Sequence, residues 1–258
     1  MAAVLGVALA GCSLMPRGPR LHLERERLPS NVPELIAMAD RGVERSRSVR
    51  VLGRAAAAME RALELAPDDF EVLWRAARGF TLLAETIASN SDLARRMARQ
   101  AEELAERAIA VTPERPEGHY WAAASAGLNA MHQLAPGRAT QEAVEKPARH
   151  LAETHPDFME GGGLRILGAL LVKAPSWPAG VGDVDEGLEL LEAAVRKHPT
   201  NPLNHLFLGQ AYAKVGRRRE ATAQLRHVLA APAEGEWRLI ARPYRQEARQ
   251  LLRDLGRR

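Results

Sequence analysis

Residues 155–221 read HPDFMEGGGLRILGALLVKAPSWPAGVGDVDEGLELLEAAVRKHPTNPLNHLFLGQAYAKVGRRREA. Apolar residues recur through this stretch at helical spacing, and no run alternates in the manner of a strand. Its later part reads as two helices joined by a tight turn. Gly209 and Ala221 are small where the two helices must approach closely, and Leu208, Tyr212 and Leu225 supply the bulk around them. Gly216 falls at the turn.

The same punctuation recurs along the chain. Ala- and Leu-rich segments stop at Pro67, Pro113, Pro156, Pro199 and Pro232. Proline lacks the amide donor and clashes with the preceding turn, so each marks a helix end. After each of the first four, helical spacing resumes with bulky apolar residues such as Trp74, Tyr120 and Trp121, Leu167 and Leu170, and Leu206 and Phe207. The unit is therefore helix, turn, helix, proline. Leu208, Gly209, Tyr212, Gly216, Ala221 and Leu225 fall at the signature spacings of the tetratricopeptide repeat. The expected fold is all-α: a tetratricopeptide-like solenoid of helical hairpins with enlarged turns inside the hairpins.

The proline intervals are 46, 43, 43 and 33 residues, and only the last approaches the 34-residue repeat. The surplus falls inside the hairpins, around residues 89–92, 132–143 and 174–182. Insertions at one point of each unit emerge on one flank of a solenoid, which is often the binding flank. Loop length also accumulates wherever it does no harm.

The insertion after Val172 is the most constrained. In KAPSWPAGVGD, Pro175 and Pro178 fix two backbone angles. Gly180 and Gly182 permit positive φ where the chain reverses. Asp183 is placed to cap the next helix, with Glu186 completing a capping-box pattern. A stiff loop presents Lys173 and Trp177 with little loss of entropy. Two readings of Trp177 stand equally: a partner anchor, or a lid folded onto its own hairpin. Ahead of it, Gly161, Gly162 and Gly163 open a helix, at about 0.5–1 kcal/mol each relative to Ala. Such a run implies close backbone approach, to a neighbouring helix or to a ligand. Arg165 either pairs with a loop carboxylate such as Asp183, the favoured reading, or points into a groove.

The stretches GGGLRILGALLVKAPSWPAGVGDVDEGLELLEAAV and PTNPLNHLFLGQAY resemble the T component of TRAP transporters, the TatT-like bacterial lipoproteins. The resemblance rests on Gly162, Gly163, Arg165, Gly168, Lys173, Pro175, Gly182, Asp183 and the Asn204–His205 pair. It implies degenerate tetratricopeptide-like hairpins, association into a homo-oligomeric ring with a central passage, and contact with a periplasmic solute-binding protein carrying an apolar solute. Together with the reading of the loop, which contributes Trp177 and Pro178, it gives Arg165, Lys173, Pro175, Trp177, Pro178, Asp183, Asn204 and His205 as the expected partner- or ligand-facing set. The competing reading is a scaffold or pilot lipoprotein for envelope assembly, with no transport role.

Residues 1–11 are apolar and end in Leu9-Ala10-Gly11 before Cys12, the pattern of a lipoprotein signal. The expectation is cleavage before Cys12, lipidation of its thiol, and a proline-rich tether over residues 12–33. The repeat body then spans residues 34–258. Ser13 favours the periplasmic face of the outer membrane. Cys12 is the single cysteine, so no internal disulfide forms. No later run approaches the roughly 20 apolar residues of a spanning helix.

The net charge is +4, with 36 basic and 32 acidic residues mixed along the chain. This argues against a nucleic-acid footprint. The basic run RPYRQEARQLLRDLGRR at residues 242–258 has helical spacing and reads as the solvated side of a last helix. No HExxH, cysteine cluster or GxSxG motif is present, and the glycine run lacks a Walker lysine. The sequence thus points to an interaction protein, with no catalytic residue, no metal ligand and no cofactor expected.

Overall fold

The structure, a computed structural model, describes residues 28–257 apart from 46–48, 88–91, 132, 134 and 235–236. The expected signal segment, Cys12 and most of the expected tether lie outside the described residues, as does most of the first enlarged turn.

Among the described residues ten helices form five hairpins. They are α1 (Val32–Arg45) with α2 (Val49–Leu65), α3 (Phe70–Thr86) with α4 (Asp92–Val111), α5 (Pro116–Met131) with α6 (Arg138–Thr154), α7 (Gly162–Lys173) with α8 (Val184–Lys197), and α9 (Pro202–Lys214) with α10 (Arg218–Ala230). A last helix, α11 (Trp237–Arg257), follows. Each of the five prolines falls just beyond the second helix of a hairpin. Among the described residues no strand forms; Ser176 and Gly182 make one isolated backbone bridge.

Local chemistry fixes several of the ends. The Asp69 side chain accepts from the Val72 amide at 3.0 Å at the start of α3. Asn201 accepts from the Leu203 and Asn204 amides at 2.9 and 3.2 Å, ahead of Pro202 in the first turn of α9. Such caps satisfy amides that have no partner within the helix. Asp183 caps α8, accepting from the Asp185 and Glu186 amides. The capping box does not close, because Glu186 instead receives Arg149 of α6 at 2.7 Å.

The first helices of the hairpins stack on one another, α1 on α3, then α5, α7 and α9, and the second helices cover them outside. Leu73, Phe80 and Leu83 of α3, Met97 and Ala101 of α4, and Leu206 of α9 are fully buried along this row. The tetratricopeptide positions pack as their spacing predicts. A Cβ on Gly209 would stand 3.0 Å from Leu225, and Ala221 and Leu225 are completely buried.

The inner side of the row is not left open. Helix α11 has 21 residues, about 30 Å of length, and it crosses that side. Arg238 donates to the Glu44 carbonyl of α1 at 2.6 Å, the Tyr244 hydroxyl donates to Glu85 of α3 at 3.2 Å, and Gln210 of α9 donates to Glu247 at 2.8 Å. Arg218 of α10 reaches the Leu255 carbonyl near the far end. The apolar stripe of α11, including Trp237, Ile240, Ala241 and Ala248, is buried. The basic C-terminal run therefore has a packed face as well as a solvated one.

Candidate functional site

Between α11 and the inner row lies a cavity of about 370 Å³ with mostly apolar walls. Helix α7 supplies one wall. Arg165, Ile166, Ala169, Leu170 and Lys173 line it at the i, i+4, i+8 spacing of one helix face. Helices α5 and α9 contribute Tyr120, Ala123, Gly127, Leu203 and Phe207, and Glu85 and Tyr244 face it from α3 and α11. Ala174 and Pro175 bring the enlarged turn to its edge.

The glycine run places Arg165 there. Gly161 adopts φ +82° before α7 begins, a conformation glycine takes without strain. A Cβ on Gly162 would stand 2.5 Å from the Tyr120 ring, and one on Gly163 would stand 2.6 Å from Leu151. Gly168 presses in the same way on the backbone of Gly187 at 2.8 Å. The run thus lets α7 seat against α5 and α6. Of the two needs the sequence allowed, the structure shows close approach to neighbouring helices.

Arg165 is 2% exposed. It donates to the Asn204 side chain at 2.7 Å, the Tyr120 hydroxyl at 3.2 Å and the Glu160 carbonyl at 3.5 Å. The expected pairing with Asp183 does not form, because that carboxylate is committed to the α8 cap. Among the described residues no carboxylate makes an ion pair with Arg165. Lys173, two helical turns further along, still reaches solvent and lies 5.3 Å from the Phe207 ring centre. The protein atoms around its ammonium lower its pKa, with Glu247 opposing and Lys214 adding to the effect. Burial first, then the neighbouring Glu85, holds the Tyr244 phenol well above its ordinary value. It therefore stays protonated and donates to Glu85.

The turn over residues 174–183 is braced throughout. The Gly182 amide donates to the Pro175 carbonyl at 2.8 Å, and the Asp183 amide to Leu171 at 3.1 Å. Gln141 of α6 accepts from the Val181 amide at 3.0 Å while donating to the Pro136 carbonyl at 2.9 Å. One glutamine therefore ties the α5–α6 turn to the α7–α8 turn, and these two corners share a flank. Gly180 and Gly182 do not take positive φ, contrary to expectation. They are required by contact: a Cβ at Gly180 would collide with the Gln141 side-chain oxygen, and one at Gly182 with the Ala174 carbonyl. The Trp177–Pro178 peptide bond is cis. Trp177 is 78% exposed, so it is not a lid on its own hairpin.

The remaining predicted site residues divide by burial. Pro175 and Pro178 are exposed on the turn. Asn204 and His205 are buried, which removes them from any partner-facing surface. Asn204 donates to the Glu160 and Ala194 carbonyls at 3.0 and 3.2 Å. His205 lies 2.7 Å from the Pro199 carbonyl and stacks on His227 with ring centres 4.4 Å apart. The α5–α6 hairpin repeats this arrangement with His119, Pro113 and His150, at 2.7 and 4.0 Å. The shared spacing, Pro113-x-x-Pro116-x-x-His119 and Pro199-x-x-Pro202-x-x-His205, is a sequence signal for it. Gln141 and the crossing of α11 carried no such signal. Among the described residues no group of three or more His, Cys, Asp or Glu is arranged to hold a metal. No helix there is long and apolar enough to cross a membrane.

With this geometry in place, the class is a tetratricopeptide-like helical-repeat protein. A tetratricopeptide repeat model matches residues 180–242, and a model described as regulator of microtubule dynamics protein 1-3 matches residues 35–145. Among curated proteins none matches the chain. A thermophilic TPR protein of Thermus thermophilus superimposes with TM-score 0.62 at 17% identity, covering 88% of this chain and 99% of its own. MamA protein gives 0.49 at 15% identity, covering 78% and 91%. YrrB, titled a TPR protein with an unusual peptide-binding site, gives 0.46 at 16%, covering 85% and 92%. The first of these three supports the fold and nothing further. The matching models and structures indicate no catalytic family.

Proposed function

We propose that the chain is a protein-interaction component of a TRAP-type solute uptake system, held by a lipid on Cys12 at the periplasmic face of the outer membrane. The partner is the periplasmic solute-binding protein of that system. The observation that carries this reading is the α7–α8 turn. Trp177 stands 78% exposed on a loop whose neighbouring backbone amides are hydrogen-bonded at Ala179, Gly180, Val181 and Gly182. An exposed tryptophan on a rigid corner is the residue type and the setting that interfaces use as an anchor. Support for the transport context comes from the resemblance of this corner, and of the glycine run before it, to the TRAP T component.

The test is affinity capture from a detergent-solubilised envelope with the tagged full-length chain, wild type and Trp177→Ala. Recovery of a TRAP solute-binding protein by the wild type, lost in the variant, supports the reading. Recovery of an envelope-assembly complex without a solute-binding protein replaces it with a scaffold role.

A further inference from the structure

We propose that the cavity between α7 and α11 is a binding site for a single-chain amphiphile with one carboxylate, held head-first by Arg165. This site stands on its own geometry and does not depend on the identity of the protein partner.

Arginine is almost never fully buried unless paired. Arg165 is 2% exposed, and its hydrogen bonds go to an amide oxygen, a phenol and a backbone carbonyl, all neutral. Among the described residues no carboxylate reaches it, so its charge is buried without a counter-ion. Arg165 lines an apolar cavity of about 370 Å³, within the size range of small-molecule sites. An entering carboxylate would supply the missing charge in the geometry that guanidinium matches best.

The shape of the ligand follows from α7. Between Arg165 and Lys173 the lining residues of this helix are Ile166, Ala169 and Leu170. Eight residues of helix span about 12 Å. The head therefore sits at Arg165, and an unbranched apolar chain runs along this face towards Lys173 at the exposed rim. A phosphate monoester carries close to two charges at neutral pH. It would call for a second cation beside the first, and Lys173 is about 12 Å along the helix. Glu85 faces the same cavity, engaged by the Tyr244 hydroxyl at 3.2 Å. Its presence further disfavours a multiply charged ligand.

The experiment is calorimetric titration of the full-length chain with decanoate below its micellar concentration, and with decanol as the uncharged chain of equal length. Two variants accompany the wild type. Arg165→Met removes the anchor. Gly127→Leu fills the cavity from α5, where a Cβ meets nothing within 4 Å, and leaves Arg165 in place. The wild type should bind one decanoate per chain, at least about tenfold more tightly than decanol. Arg165→Met should lose that preference while keeping decanol, and Gly127→Leu should lose both. No saturable binding of decanoate to the wild type overturns the proposal. So does undiminished decanoate affinity in folded Arg165→Met. Should that variant fail to fold, undiminished decanoate binding by Gly127→Leu places the ligand elsewhere and equally overturns the proposal.

Discussion

Arg165 and Asn204, 39 residues apart in sequence, meet at 2.7 Å in the interior between α7 and α9. Asn204 turns its oxygen to the guanidinium and its nitrogen to the carbonyls of Glu160 and Ala194. One amide thus satisfies a buried cation on α7, a carbonyl in the turn that precedes α7 and a carbonyl near the end of α8. That double use explains why the pair before the last repeat is interior rather than presented to a partner.

Replacing Asn204 alone therefore leaves a buried charge with fewer partners. Asn204→Leu should destabilise the fold by about 1–3 kcal/mol, the cost of stranding buried polar groups. Replacing both residues, Arg165→Met with Asn204→Leu, should cost less than the two single effects together, because contacting pairs couple. Denaturant unfolding of the two single variants and the double variant gives the coupling directly. Simple additivity would show that the contact contributes nothing.

The glycines make a second, opposed pair of predictions. A Cβ at Gly163 would meet Leu151 at 2.6 Å and the backbone nitrogen of Ala152 at 2.7 Å, whereas one at Gly79 in α3 meets nothing within 4 Å. Gly163→Ala should destabilise by about 1–3 kcal/mol through overpacking. Gly79→Ala should stabilise by about 0.5–1 kcal/mol through helix propensity. Thermal unfolding checks both, and equal shifts of one sign would contradict the packing described for α7.

Trp177→Ala should leave stability within about 0.5 kcal/mol, as for other exposed substitutions, while weakening partner capture. The measurement is a melting curve beside a binding isotherm with the captured partner. A large fall in melting temperature with unchanged affinity would mean that the side chain serves the hairpin instead.

Acid should loosen the α5–α6 hairpin. Burial lowers the pKa of His119 below its ordinary value of 6.5, the Pro113 carbonyl opposes, and His150 and His155 lower it further. The unfolded chain then binds the proton more readily than the folded one, so this stability is complete above about 6.5 and is lost as pH falls through the folded value. His119→Phe keeps a ring against His150 and removes the titrating group. Its melting temperature should fall less on acidification than that of the wild type. An unchanged pH slope would rule out His119 as the source.

Much of the fold was legible because its signals are local. Each proline ends a helix through its own missing amide, and Gly209 and Ala221 announce a close helix pair by their size. The site was legible only in part. Arg165, Lys173 and Pro175 do line one cavity, and Asp183 was legible as the cap of α8, but its failure to pair with Arg165 and the burial of Asn204 and His205 emerged only once neighbouring helices were in place. For Gly180 and Gly182 the sequence named the need, a small residue, but tied it to the wrong reason, positive φ. Small size serves positive φ and tight contact alike, and only the neighbours, here Gln141 for Gly180 and the Ala174 carbonyl for Gly182, distinguish them.

The sequence by itself determined that this chain folds as stacked helical hairpins with a stiff, glycine- and proline-framed corner, because propensity, capping and periodicity act over a few residues. The tertiary structure alone decided that α11 crosses the inner face and adds Tyr244 to the lining of a cavity that also holds a buried arginine. That outcome depends on which apolar stripes meet across nearly the whole chain, and an amphipathic stripe does not encode the surface that will cover it.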